Sequence, residues 1–232
     1  MTSFKNGKEW YHHLVRSSTG KDHKYLLSRN PKWVLSRDTD ANDGTKAYTS
    51  FEDYQSLLSY CAKYPDQGYY EHLILNDERR KLYFDIDHEL PLDKAPQWAA
   101  MHKRHLGLLI ETLRLKFTGH GLPFTPEDVR IYQSCGVKGD VYKFSYHVVT
   151  VGYNAISPEH VKEICSCIRE SVAINAGLLN IVASSPDKPV RNWIDTAPYG
   201  CASGGQAFRL INSAKRGSNR KKTLLQDEGC PP

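Results

Sequence analysis

The run Lys81-Leu82-Tyr83-Phe84-Asp85-Ile86-Asp87 constrains this chain more than any other segment. Successive side chains of a β-strand alternate between its faces. Asp85 and Asp87 therefore share one face, while Phe84 and Ile86 point to the other and can anchor the strand in a core. Two carboxylates held side by side raise each other's pKa, so the pair is costly unless a cation neutralises it. Oxygen ligands of this kind suit Mg²⁺ or Mn²⁺. Taken alone, the pair also fits a strand end that runs into a polar loop.

A second period-two run narrows the choice. Lys143-Phe144-Ser145-Tyr146-His147-Val148-Val149 reads as a half-buried strand. Lys143, Ser145 and His147 share one face, and Phe144, Tyr146 and Val148 the other. A cation, a hydroxyl and an imidazole in a row are not needed for folding, and as hydrogen-bond donors they suit phosphate oxygens. A third element lies nearer the C-terminus. Asp195 ends the short apolar stretch Trp193-Ile194, and the strand Gln206-Ala207-Phe208-Arg209-Leu210-Ile211 places Arg209 with Ala207 and Ile211, opposite Phe208 and Leu210. Lys215 follows in a Ser/Gly-rich turn.

In this order the three elements resemble the archaeo-eukaryotic primase superfamily, most closely its primase-polymerase branch. That family carries an acid-x-acid motif, a Ser-x-His motif often preceded by Lys, and a later Asp followed by Arg and Lys. The matching residues here are Asp85 and Asp87, Lys143 with Ser145 and His147, Asp195, and Arg209 with Lys215. The match runs from about Tyr70-Glu71 to the basic tail, roughly two thirds of the chain. Asp87 departs from relatives that have Glu there. Gly200, Gly204 and Gly205 imply a loop of undefined path between Asp195 and Arg209, and no Cys/His cluster resembles the zinc module of some members.

The resemblance implies an α+β protein with an RRM-like (split βαβ) catalytic lobe beside a smaller N-terminal α/β lobe, the active site in the cleft. Boundaries of 1–79 for the basic N-terminal lobe, on the template side, and 80–232 for the catalytic lobe follow. It implies DNA-templated nucleotidyl transfer by a two-metal mechanism, making primers, extending them, or both, with NTPs or dNTPs in replication or damage tolerance. Asp85, Asp87 and Asp195 would hold two Mg²⁺ or Mn²⁺ ions, with no zinc expected. Lys143, Ser145, His147, Arg209 and Lys215 would grip the triphosphate. The implied partners are a single-stranded DNA template and primer, nucleotides, and a helicase or other replication module.

Charge distribution fits a polyanion. The formal net charge is +5, and Lys215, Arg216, Arg220, Lys221 and Lys222 form a basic run without an acid. The first fifty residues also lean basic. Arg37, Lys46, Arg216, Arg220, Lys221 and Lys222 are the candidate DNA contacts, although isolated surface charges are usually only solvated.

With 232 residues, one sizeable core or two small lobes can form. No apolar run approaches the ~20 residues of a membrane span, and the N-terminus lacks a secretory apolar core. An intracellular location without membrane contact is expected. The six scattered cysteines read as free thiols in a reducing compartment. The end at Gly229-Cys230-Pro231-Pro232, with no closing element, suggests the catalytic domain of a longer protein.

Along the chain, Trp10, Tyr11 and Leu14 suggest one docked helical turn. Pro31 to Leu35 reads as a strand, and Asp38 to Gly44 as a turn. A helix is expected to start at Ser50, with Asp53 in the reciprocal capping position, followed by a strand over Tyr69 to Leu75. From Lys81 the order is β-α-β-β-α-β-β, with helices over about Pro96 to Phe117 and from Ser157-Pro158 onward. Such an order suits a sheet with helices on one face and the other free for chemistry.

Rival functions explain less. A metal-dependent glycosyltransferase accounts for Asp85 and Asp87 but not for the Lys-x-Ser-x-His face or for Arg209 and Lys215. An Asp-x-Asp-x-Thr/Val phosphatase fails because Glu89 occupies the Thr/Val position. A non-catalytic nucleic-acid-binding module explains the basic ends but not three acids, and the chain lacks the aromatic ribonucleoprotein strands.

Overall fold

The computed structural model describes residues 2–12, 26, 31–39, 45–64, 70–75, 80–178, 184–185, 188–189, 194–195 and 205–225. It is a mixed α+β structure with antiparallel sheets and, among the described residues, three α-helices. The first elements are β1 (Thr2–Lys5), β2 (Lys8–Tyr11), β3 (Trp33–Asp38), β4 (Lys46–Phe51), α1 (Tyr54–Lys63) and β5 (Tyr70–Leu75). Next come β6 (Arg80–Pro91), α2 (Ala95–Gly119), β7 (Val129–Gln133), β8 (Gly136–Lys138), β9 (Val141–Ala155) and α3 (Pro158–Leu178). The last are β10 (Ser184–Ser185), β11 (Lys188–Pro189), β12 (Ile194–Asp195), β13 (Gly205–Arg209) and β14 (Thr223–Leu224). Among the described residues no helix is long and apolar enough to cross a membrane.

The chain divides into two units, Met1–Asp77 with Cys201–Lys222, and Glu78–Gly200 with Thr223–Pro232. In the first, six strands lie in the order β1-β2-β4-β3-β5-β13. Trp10, Leu35, Ala47 and Phe51 pack with Leu57 and Tyr60 of α1, while Tyr11 and Val34 pack with Leu26 in a separate cluster. Neighbouring residues of β2 and β3 thus feed different cores, so these two strands bury both of their faces.

Three expectations change in this unit. Trp10 and Tyr11 lie in a strand, not a helical turn. Asn6 (φ 52°) and Gly7 (φ 74°) both adopt the left-handed conformation that a tight hairpin turn needs, and β1 pairs with β2 across them. Leu14 lies outside the described residues. Ser50 belongs to β4, and Asp53 caps α1 by accepting from the Ser56 N–H at 2.7 Å. Finally, β13 pairs with β5, from Gly205 opposite Leu75 to Arg209 opposite Glu71. Through Gly205–Arg209, which take their ladder hydrogen bonds from β5, the stretch Cys201–Lys222 is grouped with the first unit.

In the second unit the strand order is β12-β6-β9-β7-β14, with β8 also paired to β9. Each β-α-β stretch is interleaved with the other: β9 separates β6 from β7, and β6 separates β9 from β12. The long helix starts with Pro at its first turn, and α3 starts where the Ser157 hydroxyl accepts from the His160 N–H at 3.2 Å. Both helices pack on the sheet face that carries Ile86, Phe144, Tyr146 and Val148, all buried.

Candidate active site

Register places the acids and the donors on one sheet face. Asp195 of β12 pairs with Asp85 of β6, and Asp85 pairs with His147 of β9. His147 in turn pairs with Tyr132 of β7, which completes a row across four strands. One step along, Asp87 pairs with Ser145, and one step further Glu89 pairs with Lys143. Strand alternation gives all of these side chains the same face, away from the helices. The two period-two runs of the sequence thus meet in register.

Ion pairs fill that face. Lys143 Nζ lies 2.5 Å from Asp87 Oδ2 and 3.7 Å from Glu89 Oε1, while Lys138 Nζ donates to Glu89 Oε1 at 2.7 Å. His147 Nε2 lies 3.4 Å from Asp85 Oδ1, an attractive contact when the imidazole is protonated. Only 17% of the Lys143 side chain and 14% of His147 are exposed, so these charges are partly desolvated and interact more strongly than surface pairs. The Lys138 hydrogen bond holds the Glu89 carboxyl below the usual carboxylate range, against its partial burial and the Asp87 charge. Ser145 is buried, and its backbone N–H approaches Cys135 Sγ at 3.5 Å.

The opposite face supports this array with polar groups the apolar pattern did not announce. His88, next to Asp87, is buried, and its Nδ1 lies 3.0 Å from His102 Nε2 on α2. The His102 ring stacks on Phe144 at 4.0 Å between centroids. Burial, then the nearby His88, lower the His102 pKa to about 3, and burial with the Arg104 charge lowers that of His105 to about 4. Both imidazoles are neutral at neutral pH. Ile86, Ile194, Leu106, Leu109 and Val172 close a small apolar cavity beside them.

Hard oxygen donors from Asp85, Asp87 and Asp195 suit a divalent cation, and their register brings all three to one face. Among the described residues, however, no three His, Cys, Asp or Glu side chains converge closely enough to hold an ion. Asp87 is drawn to Lys143, and Asp85 faces His147.

The remaining candidates belong to the first unit. Arg209 sits half-buried in β13, and Lys215 is exposed beyond it. Arg37 lies over the Trp10 ring at 4.5 Å, and Lys46 pairs with Asp38 at 3.1 Å. Arg216 is tied to the end of β3, its guanidinium donating to the Thr39 carbonyl and its backbone N–H to Asp38 Oδ2 at 3.3 Å. Lys222 is 1% exposed, which removes it from the accessible basic surface. Arg220 is half-buried and Lys221 exposed. Sequence reasoning missed Glu89 and Lys138 as members of the array. The period-two spacing of Asp85, Asp87 and Glu89 was the signal available for the first, and none pointed to the second.

No family model matches the chain, and no curated protein matches it.

Proposed function

We propose that the second unit is the catalytic part of a DNA-templated primase-polymerase, with its sheet arranged as an RRM-like split βαβ core. The observation that carries this reading is the register of Asp195, Asp85 and His147 in one row, with Asp87 beside Ser145 and Lys143 on the same face. An acid cluster for cations adjoins a donor cluster for phosphate, which is the combination nucleotidyl transfer needs.

Asp85, Asp87 and Asp195 would hold two Mg²⁺ or Mn²⁺ ions. When bound, such ions lower the pKa of an attacking 3′-hydroxyl and steady the leaving pyrophosphate. Lys143, Ser145 and His147 would donate to triphosphate oxygens, where negative charge builds as the bond to the leaving group breaks. His147, which shares its strand face with Ser145 and Lys143 and faces Asp85, would then act as an anion ligand. The roles of Arg209 and Lys215 on the same triphosphate rest on the sequence resemblance alone. A single-stranded template and a primer are the polymer partners this reading implies, with a helicase or other replication module as a further one.

The test is incubation of the protein with single-stranded DNA, labelled NTPs or dNTPs and Mg²⁺ or Mn²⁺, with and without an annealed primer. Template-dependent products that disappear in Asp85→Asn/Asp87→Asn support the reading. Absence of any product with every nucleotide and ion, alongside cation-dependent turnover of a nucleotide-sugar, would replace it with a glycosyltransferase.

A further inference from the structure

The carboxylates of the proposed site share a face without forming a cluster, and the reason is chemical. Lys143 and Glu89 are register partners, yet Lys143 Nζ is at 2.5 Å from Asp87 and at 3.7 Å from Glu89. The lysine has crossed diagonally to the acid that an ion would need. It is mostly buried, so its ammonium requires a carboxylate or an anionic ligand nearby. Glu89 can serve as that carboxylate: it already accepts a hydrogen bond from Lys138 at 2.7 Å and lies within reach of Lys143. A shift of the ammonium by little more than an ångström toward Glu89 would exchange one pairing for the other.

We propose that Lys143 is an exchangeable counter-cation, seated on Asp87 in the ion-free protein and on Glu89 or a substrate phosphate once a divalent cation takes Asp87. Glu89 is the positioning residue that receives it. This deepens the proposed function and rests on it. The pairing has two consequences. Repulsion between Asp85 and Asp87 is relieved before any ion arrives. Ion loading also delivers a cation to the neighbourhood of the phosphates, so binding of ion and of nucleotide reinforce each other by linkage. No bond is made or broken; one ion pair is traded for another.

The experiment is Mn²⁺ binding to the full chain without nucleotide, read as free Mn²⁺ by electron paramagnetic resonance. The series is wild type, Lys143→Met, Lys143→Arg, Glu89→Gln, Lys143→Met/Glu89→Gln and Asp85→Asn/Asp87→Asn. Lys143→Met should bind about tenfold more tightly, the scale of one partly screened charge at a few ångströms. Glu89→Gln should bind several-fold more weakly, since the lysine then has only Asp87, and Lys143→Arg should stay near wild type.

The double variant decides the mechanism. If Glu89 acts through Lys143, adding Glu89→Gln to Lys143→Met changes affinity little. Additive effects would mean that the two residues act only through space, and would overturn the exchange. Unchanged affinity in Lys143→Met would overturn it as well. Wild-type binding that Asp85→Asn/Asp87→Asn leaves intact would instead remove the ion site itself, and the proposed function with it. Circular dichroism and urea midpoints separate these outcomes from misfolding, and if the methionine variant does not fold, unchanged affinity in Glu89→Gln overturns the exchange.

Discussion

Asp195 stands directly opposite Asp85 in the antiparallel pairing of β12 with β6. Like charges at opposed positions of a sheet destabilise it, and a chain that only needed to fold would gain by replacing one of them. Asp195 lies near the surface, so solvent screens part of the repulsion. The remaining penalty is understandable if the pair has a cation to hold.

Asp195→Asn is therefore expected to raise stability in EDTA by roughly 0.2–1 kcal/mol, nearer the low end because of screening. Millimolar Mn²⁺ should stabilise the wild type and do little for the variant, because a ligand stabilises only the state that binds it. Urea unfolding with and without the ion checks both. A variant that is less stable in EDTA yet gains as much from Mn²⁺ would remove Asp195 from the ion site.

His147 faces Asp85 on one side and shares its strand face with Ser145. His147→Ala should weaken binding of a non-reactive nucleoside triphosphate by about 1.5–3 kcal/mol, the range for hydrogen bonds to charged groups. Calorimetry with the Mg²⁺ complex measures it. If nucleotide affinity is unchanged while only the incorporation rate falls, His147 works on the reacting hydroxyl instead.

The buried histidines make stability depend on acid. Both titrate near 6.5 when unfolded, whereas burial, as the leading cause, holds His102 at about 3 and His105 at about 4 in the folded chain. As pH falls below about 6.5 the unfolded state takes up protons that the folded state refuses. Stability should be constant in this respect above that pH and decline toward pH 4, with a slope approaching about 1.4 kcal/mol per unit for each histidine. Urea midpoints at pH 7, 6 and 5 follow it, and His105→Leu should flatten the decline. A profile equally steep in that variant would place the acid sensitivity elsewhere.

The sheet of the second unit was legible because α2 and α3 both pack on one face, the one that carries the apolar residues. Phe84, Ile86, Phe144, Tyr146 and Val148 alternate with the polar residues Asp85, Ser145 and His147, and the structure keeps the two sets on opposite faces. His88 hides in the same pattern: it falls on the core face, but a histidine there signals nothing until α2 supplies His102 from fourteen residues away. The first unit defeats alternation for the opposite reason. Trp10 and Tyr11 are both buried, each in a different cluster, so the strand has no period-two signature and only the Asn6-Gly7 turn marks it. The seat of β13 on β5 joins segments about 130 residues apart, and no local pattern encodes such a pairing.

The basic run behaves as two kinds of residue. The backbone N–H of Asn212 donates to the Lys222 carbonyl at 2.7 Å, and that of Lys222 to the Ser213 carbonyl at 2.9 Å, closing the segment between them into an excursion. Lys215 and Lys221 are exposed on it, while Lys222 is buried at its base. Only exposed ammonium groups can release counterions from a single strand. Lys215→Ala/Lys221→Ala should therefore lower the slope of log affinity for single-stranded DNA against log salt by up to about 1.4, at about 0.7 for each phosphate lost. Lys222→Ala should leave that slope unchanged and lower the unfolding midpoint instead, because it removes packed side-chain volume. Fluorescence anisotropy on a labelled oligonucleotide across a salt series, with thermal unfolding of the same samples, separates the two effects. A slope that drops for Lys222→Ala but not for Lys215→Ala/Lys221→Ala would mean that the excursion opens to bind DNA through its base.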